Sequence, residues 1–336
     1  MYVLELAGED DDFAAREAAS AASDVAVVAP GLATARGITD RLCGLAFTHR
    51  ASDLVGRADP EVASARALLE ASSLDRKGTV AVRARDVRGL TGVDTQAAER
   101  ELGGVLVDRG FAVDLEEPDH ELRALFSPGT CALGWLATGS VRDFGERAPT
   151  ARPFFQPGSM NPLLARALAN FAGARPGRTV LDPMCGTGGV LVEAGLVGAD
   201  VLGVDAQTKM ARGAGENLAD ALGGPTPDAL PEPGGFHTLR GDATALPLSD
   251  DAVDGVVFDA PYGRQSKIAG RPLGDLVAGA LAEAHRVAPR AVVVGDRSWT
   301  DAARAAGWTV TDTFDRRVHR SLSRHVHLLV RRDCGL

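Results

Sequence analysis

The stretch from Thr179 to Ala194, which reads TVLDPMCGTGGVLVEA, decides the fold of this chain. Apolar and β-branched residues run into Asp182, a proline and three glycines follow, and an apolar helix then begins. A strand, a tight glycine turn and a helix start in this order let the backbone approach a nucleotide closely. The dinucleotide fingerprint G-x-G-x-x-G is absent, and an acid at the strand end would repel a pyrophosphate. The same acid suits a ligand that carries an ammonium and a sulfonium group.

S-adenosylmethionine is a ligand of that kind, and the residues of the turn carry a family resemblance. The phrase DPMCGTGG, residues 182–189, resembles the first motif of class I methyltransferases, particularly those that methylate exocyclic amines of nucleic-acid bases. The resemblance implies a Rossmann-like sheet with S-adenosylmethionine as the cofactor. It assigns to cofactor binding the turn residues Asp182, Pro183, Cys185, Gly186 and Gly188. A helix-capping glycine turn in another kind of α/β protein is the alternative.

The bulk composition predicts a two-domain protein of the cytoplasm. The chain has 336 residues, no apolar run reaches the ~18 residues of a membrane span, and the acidic start lacks the basic region of a signal peptide. The four cysteines have no paired spacing, so we expect neither a disulfide framework nor a metal site. The net charge of −9 argues against a protein that binds nucleic acid through charge alone.

The first 145 residues show a mixture of strand and helix patterns. Residues 79–85 alternate with period two, Asp94 is placed to cap a helix that runs to Asp108, and residues 122–126 and 131–136 predict a hairpin. The run 113–122, VDLEEPDHEL, with Gly134 in the strand that follows, resembles the THUMP module of RNA-modifying enzymes. The resemblance implies an α+β module over residues 1–145 that binds tRNA.

Arginines of this module are the residues we expect to contact RNA phosphates. The set consists of Arg83, Arg85, Arg88 and Arg123. Surface arginines that only face solvent are the alternative for each of them.

Residues 146–160 are predicted to link the module to a second domain. The segment Gly145–Gly158 contains three prolines and two glycines, which disfavour a regular element. Its second part, ARPFFQPGSM, resembles the segment that precedes the methyltransferase sheet and folds over the cofactor. The resemblance adds Phe155 and Ser159 to the cofactor site, and Ser159 is also placed to cap a helix over 162–172. Ordinary packing of Phe154 and Phe155 between domains is the alternative.

Residues 161–336 alternate between short apolar strands and helices, which predicts a parallel sheet covered on both faces. Ligands bind such sheets beyond the carboxyl ends of the strands. Four acids follow the predicted strands, namely Asp182, Asp205, Asp242 and Asp259. An acid at the position of Asp205 normally pairs with ribose hydroxyls, with Ala206 beside it. The family resemblance implies that Asp242 holds the adenine amine and that the N–H of Ala243 meets the ring.

The sequence Asp259-Ala-Pro-Tyr262 predicts the reaction. It resembles the (Asp/Asn/Ser)-Pro-Pro-(Tyr/Phe/Trp) signature of amino-methyltransferases. The carboxylate of Asp259 and the carbonyl of Ala260 are expected to accept both hydrogens of an amine, while Tyr262 stacks on the base; Pro261 completes the signature. Ala260 departs from the usual proline, which removes a fixed φ but keeps the carbonyl. A methyltransferase that has lost activity is the alternative.

The last residues are rich in arginine and are predicted to end in an antiparallel strand over 326–330. Arg316, Arg317, Arg320 and Arg324, with Arg264 after the signature, are expected to contact RNA phosphates. Solvated arginines are the alternative.

Taken together, the chain resembles the archaeal-type THUMP-domain tRNA guanosine N2-methyltransferases over most of its length. The predicted fold class is α/β, a class I (Rossmann-like) sheet with an N-terminal α+β module. The resemblance implies methylation of the N2 amine of guanosine in tRNA, at position 10, and a small zinc-binding activator protein as a further partner. Methylation of another exocyclic amine, either N2 of guanine at another tRNA or rRNA site or N6 of adenine, and RNA binding without catalysis are the alternatives.

Overall fold

The computed structural model describes residues 1–262, 272–319 and 322–331. They form two compact units, Met1–Ser140 and Val141–Leu336. The boundary falls before residue 145, where the sequence predicts the end of the first domain. The predicted linker, 146–160, lies within the second unit and contains a short 3-10 helix, Pro149–Ala151.

The first unit is an α+β structure built on one mixed sheet. Its elements in chain order are β1 (Tyr2–Leu6), α1 (Asp11–Ala18), β2 (Ala22–Ser23), β3 (Ala26–Ala29), β4 (Leu32–Ala35), β5 (Gly37–Ile38), β6 (Thr48–Ala58), α2 (Val62–Ala71), β7 (Thr79–Asp86), α3 (Thr95–Asp108), β8 (Ala112–Val113), β9 (His120–Ser127) and β10 (Thr130–Gly139). The large sheet has the order β3-β4-β1-β6-β10-β9-β7-β8, and β2 pairs with β5.

Local signals in the sequence account for several of these elements. The predicted hairpin is present as β9 and β10, which pair antiparallel. The predicted cap is also present, because Asp94 Oδ1 accepts the N–H of Ala97 at 3.0 Å. Buried apolar residues of α3, such as Leu102 and Leu106, join Phe126 of β9 in one core.

The second unit is a doubly wound sheet. Its elements are α4 (Pro162–Phe171), β11 (Thr179–Asp182), α5 (Gly189–Leu196), β12 (Asp200–Asp205), α6 (Thr208–Leu222), β13 (Phe236–Arg240), β14 (Gly255–Asp259), α7 (Leu273–Val287), β15 (Arg290–Gly295), α8 (Thr300–Ala305), β16 (Trp308–His319) and β17 (Leu322–Arg331). The strand order is β13-β12-β11-β14-β15-β17-β16. The strands from β11 to β15 pair parallel, and β17 pairs antiparallel with β15 and β16, which confirms the predicted sheet.

The apolar strands of the second unit are buried because helices cover both faces of the sheet. Successive side chains of a strand point to opposite faces. Val180 therefore packs into one core with Val257, while Leu181 packs into the other with Val256. Such strands carry no polar face, so the polar residues collect at their ends.

Among the described residues, no helix has both the length and the apolar character that a membrane crossing requires.

Candidate active site

Three of the four predicted acids end neighbouring strands of the second sheet. Asp182 ends β11, Asp205 ends β12 and Asp259 ends β14, while Asp242 follows β13. The carboxyl group of Asp182 is buried, and its Oδ1 accepts the N–H of Met184 at 3.0 Å. Burial raises the pKa of Asp182 well above its ordinary value, and the charges of Asp205 and Asp259 add to this rise. Acids that repel one another at one edge favour a cationic ligand there.

The glycine turn between β11 and α5 lies beside these acids. Gly186 (φ +53°) and Gly188 (φ +74°) adopt the left-handed conformation that glycine tolerates best. A side chain at Gly188 would come within 3.1 Å of Ala214, whereas a Cβ at Gly186 would meet no described atom within 4 Å. The turn is thus tightly packed against α6 at Gly188 and open at Gly186, which leaves space for a bound nucleoside.

Asp205 joins the turn to the end of β12. Its Oδ2 accepts the N–H of Gly186 at 3.0 Å, and its Oδ1 accepts the N–H of Gln207 at 2.8 Å. Each carboxylate oxygen has two lone pairs, so Asp205 retains capacity for the two hydroxyls of a ribose. Burial raises the pKa of this carboxyl as well.

Two further residues of the turn, Pro183 and Cys185, pack inside the fold. Pro183 and Cys185 are buried, and the Cys185 N–H donates to the carbonyl of Val204 at 2.9 Å. Burial, together with the charges of Asp182 and Asp205, raises the pKa of the Cys185 thiol. The thiol therefore stays protonated, which does not suit a nucleophile.

Asp242 shapes the turn that follows β13. Its Oδ1 accepts the N–H of Thr244 at 2.9 Å and the Thr244 hydroxyl at 2.7 Å. Asp242 itself is exposed and Ala243 is buried. Ala206, after β12, is exposed, and its carbonyl accepts Arg240 Nε at 3.2 Å.

The segment 152–159 is tied to the glycine turn, and one side chain makes most of the connection. Asn217 of α6 accepts the N–H of Phe154 and donates to the Phe154 carbonyl, each at 2.8 Å, and it also donates to the carbonyl of Thr187 at 2.8 Å. Ser159 Oγ lies 3.0 Å from the Thr187 hydroxyl. Asn217 was not among the residues predicted from sequence, because nothing in the pattern of α6 distinguishes it from other buried helical positions.

The structure changes the predictions for Ser159 and for the two phenylalanines of this segment. Ser159 does not cap α4; Asn161 does, since its Oδ1 accepts the N–H of Leu163 at 2.8 Å. Phe154 packs against Gly213 of α6, while Phe155 is 42% exposed. Phe154 therefore packs within the second unit, and Phe155 keeps its predicted place at the cofactor site as a proposal.

The signature residues form a compact polar group with an arginine from β17. The hydroxyl of Tyr262 donates to Asp259 Oδ1 at 2.6 Å and accepts Arg324 Nε at 2.9 Å. Arg324 Nη2 lies 3.4 Å from Asp259 Oδ2. Burial raises the pKa of Asp259, and the charge of Arg324 opposes the rise.

Ala260 makes a contact that the usual proline cannot make. Its N–H donates to the carbonyl of Val294 at 2.8 Å, which continues the ladder between β14 and β15. Proline has no N–H, so this bond offsets part of the lost rigidity. Ala260 is buried, and Pro261 and Tyr262 are half-buried.

Arg324 is not available to a phosphate, which corrects the sequence-based expectation. It is 5% exposed. A signal for this was present, because Arg324 alternates in register with Val326 and Leu328, which are both buried on β17. Arg317 on β16 is exposed, as an RNA contact would need, and Arg264 and Arg320 lie outside the described residues.

The arginines predicted to bind RNA in the first unit mostly have acidic partners. Arg123 is buried, and its Nε and Nη2 each donate to Glu5 at 2.9 Å, so it leaves the predicted set. Arg85 also pairs with Glu5, at 3.2 Å, and Arg88 pairs with Asp11. Arg83 donates to a backbone carbonyl, that of Leu115. These pairs join residues far apart in the chain, which sequence patterns do not reveal.

Among the described residues, no group of three or more His, Cys, Asp or Glu is arranged to hold a metal ion.

A doubly wound sheet with a glycine turn and strand-end acids is the architecture of Rossmann-like nucleotide-binding folds, to which class I methyltransferases belong. Residues 149–325 match the family model described as "RMKL-like, methyltransferase domain". The chain is 34% identical to the tRNA (guanine(10)-N2)-dimethyltransferase of Methanothermobacter thermautotrophicus, over 85% of this chain and 83% of that protein. It is 32% identical to the tRNA (guanine(6)-N2)-methyltransferase of Thermus thermophilus, over 67% of this chain and 66% of that protein.

A solved structure supports the fold across both units. The crystal structure of TrmN from Thermus thermophilus matches with a TM-score of 0.50 and 23% identity, over 98% of this chain and 99% of that one. The chain belongs to the RMKL-like methyltransferase family. Family membership confirms the predicted class of enzyme, its fold and S-adenosylmethionine as its cofactor.

Proposed function

We propose that this protein transfers a methyl group from S-adenosylmethionine to the N2 amine of guanosine 10 in tRNA, giving N2-methyl- and N2,N2-dimethylguanosine. The observation that carries the proposal is the group formed by Asp259, Ala260 and Tyr262 at the end of β14, next to the buried Asp182 at the end of β11. The relatives named above act on the N2 amine of guanine in tRNA, which supports this choice of amine.

The cofactor fits the residues of the rim. The acids at the ends of β11 and β12 offer negative charge to a ligand with cationic groups, and the open side of Gly186 offers space for close approach. In the proposal, Asp205 holds the ribose hydroxyls, and Asp242 with the N–H of Ala243 holds the adenine. When bound, the cofactor supplies a methyl group activated by a positively charged sulfur.

The chemistry at the base depends on hydrogen-bond acceptors. The lone pair of an exocyclic amine is delocalised into the ring, so the amine is a poor nucleophile. Asp259 and the carbonyl of Ala260 accept its two hydrogens and thereby direct its lone pair towards the methyl group. Tyr262 stacks on the base once the base has left its helix. Direct transfer requires no covalent enzyme intermediate, which agrees with the protonated state of Cys185.

Binding of tRNA is assigned to the first unit. Its α+β sheet and the THUMP-like run at residues 113–122 support this assignment, together with the partly exposed Arg85. The small zinc-binding activator remains a proposed partner that rests on the family resemblance. Activity of the purified chain alone, compared with activity after such a protein is added, tests whether a partner is needed.

Mass spectrometry of tRNA tests the proposed function. The purified protein is incubated with S-adenosylmethionine and an unmodified tRNA transcript, which is then digested and mapped. We expect N2-methyl- and N2,N2-dimethylguanosine at position 10. Methylguanosine at position 6 would contradict the position, methyladenosine would contradict the amine, and cofactor binding without transfer would favour a protein that only binds RNA.

A further inference from the structure

Arg324 lies inside the proposed active site, although the reaction described above gives it no role. It comes from β17, which lies two strands from β14 in the sheet order. Its guanidinium contacts both polar groups of the signature, namely the hydroxyl of Tyr262 and the carboxylate of Asp259. Its side chain is 6% exposed. An arginine keeps its charge even when buried, so a fixed positive charge stands beside the proposed amine acceptor.

The hydroxyl of Tyr262 occupies the acceptor that the target amine needs. It donates to Asp259 Oδ1 at 2.6 Å, a short bond to a carboxylate. The incoming amine and this hydroxyl therefore compete for the same carboxylate. When the hydroxyl leaves Asp259, Arg324 remains as the charged partner of the carboxylate on its Oδ2 side.

We infer that Arg324 is a positioning residue for methyl transfer: it keeps the Asp259 carboxylate in place and charged while the Tyr262 hydroxyl gives way to the target amine. This role rests on the proposed function and goes beyond it, because it gives a residue outside the signature a part in holding Asp259 before and after the Tyr262 hydroxyl leaves. The buried position of Arg324 excludes the alternative in which it contacts a phosphate.

The charges around Asp259 explain why a cation is needed there. Burial raises the pKa of this carboxyl, and the negative charge of Asp296, next to the end of β15, adds to the rise. Asp182, on β11, interacts with Asp259 as a further negative group. Arg324 and the hydrogen bond from Tyr262 lower the pKa of Asp259. Without Arg324 the pKa of this carboxyl would rise further, and a carboxyl that gains a proton loses part of its capacity to accept hydrogen bonds.

Kinetics of arginine variants test this role. Arg324→Gln removes the charge and Arg324→Lys retains it, while Arg304→Gln makes the same charge change at an exposed position of α8. For Arg324→Gln we expect kcat to fall about tenfold to a hundredfold, with KM for tRNA and the Kd of S-adenosylmethionine within about twofold. The acidic limb of its kcat–pH profile should move to higher pH, because the charge that lowers the pKa of Asp259 is gone. Arg324→Lys should keep the limb near its original position, and Arg304→Gln should match the unsubstituted protein.

Two results would overturn the inference. One is an Arg324→Gln protein whose kcat–pH profile is unchanged; the other is a higher KM for tRNA with kcat intact, as a phosphate contact would produce. If Arg324→Gln does not fold, the Lys variant is compared in the original and in the Tyr262→Phe background. Without the hydroxyl, Asp259 depends more on its charged partner, so the loss in kcat should be larger in that background, and equal losses would contradict the role. Absence of transfer by the unsubstituted protein would instead count against the proposed function itself.

Discussion

The carboxylates at the edge of the second sheet and the arginines of the first unit were both predicted from sequence to bind ligands. In the structure the two groups have different partners. The acids at the ends of β11, β12 and β14 come together beside one glycine turn. In the first unit, Arg123 and Arg88 pair with acids of the same unit. Asp182 and Asp205 accept backbone N–H groups and leave their charge for a ligand, whereas Arg123 and Arg88 have their charge matched by acids within the fold. Asp259 differs from the other two acids, because Arg324 pairs with it.

The two groups differ because the fold positions strand ends and strand faces in different ways. The carboxyl ends of parallel strands lie at the same edge of the sheet, so topology alone places an acid that follows a strand at the binding site. An arginine on a strand faces whatever side chain the neighbouring strand supplies. Glu5 and Arg123 are 118 residues apart, and no local pattern joins them.

The largest effect should come from Asp259 at the acidic edge. In Asp259→Ala we expect kcat to fall about a thousandfold, because the amine loses its charged acceptor. Binding of S-adenosylmethionine should change less than about threefold. Methyl-transfer rates and calorimetry measure the two quantities, and the exposed Asp301→Ala on α8 is the control. Turnover that stays near that of the control would remove Asp259 from its role.

The next effect should be on stability and should separate the two kinds of arginine. Arg123→Ala leaves Glu5 buried without its main partner, so we expect the free energy of unfolding of the first unit to fall by about 3 kcal/mol. Arg83→Ala, which lies in the same sheet, should cost less than about 0.5 kcal/mol. Urea denaturation monitored in the full chain provides both values. A neutral Arg123→Ala with weaker tRNA binding would restore the RNA-contact interpretation.

A smaller effect should appear in the pH dependence of ligand binding at the acidic edge. Burial raises the pKa of Asp182, so this group gains its proton before an ordinary carboxyl does as the pH falls. Attraction to the sulfonium is complete above that pKa and is lost below it. We expect the affinity for S-adenosylmethionine to fall on acidification more than that for S-adenosylhomocysteine, whose sulfur is neutral.

Calorimetry with both ligands over a pH series measures the ratio of the two affinities. Asp182→Asn removes the charge with little change in size, so the ratio should become flatter with pH in this variant. If the affinities for both ligands fall in parallel with pH in the unsubstituted protein, the acids do not interact with the sulfonium.

The smallest effect should come from Arg317, an exposed arginine of the second unit. Loss of one phosphate contact in Arg317→Ala should weaken tRNA binding a few-fold and reduce the slope of log K against log salt by about 0.7–0.9. Filter binding at several salt concentrations measures this slope. An unchanged slope would assign Arg317 to the solvated surface.

Much of the second unit was predictable, because short apolar strands and a glycine turn specify the sheet and its binding edge. The cap at Asp94 and the hairpin of β9 and β10 were predictable for the same reason, since both depend on neighbours in sequence. Asn217 and Arg324 were not predicted in their roles. Each acts on a segment more than 60 residues away, so its partner is defined only by the packed fold.

The most direct test of the account is transfer to a tRNA transcript that carries inosine at position 10. Inosine differs from guanosine only by lacking the 2-amino group, so it tests the target atom without changing the shape of the tRNA. We predict dimethylation of the guanosine transcript and no methyl transfer to the inosine transcript under the same conditions. Equal methylation of both transcripts would contradict the assignment of the N2 amine as the group held by Asp259.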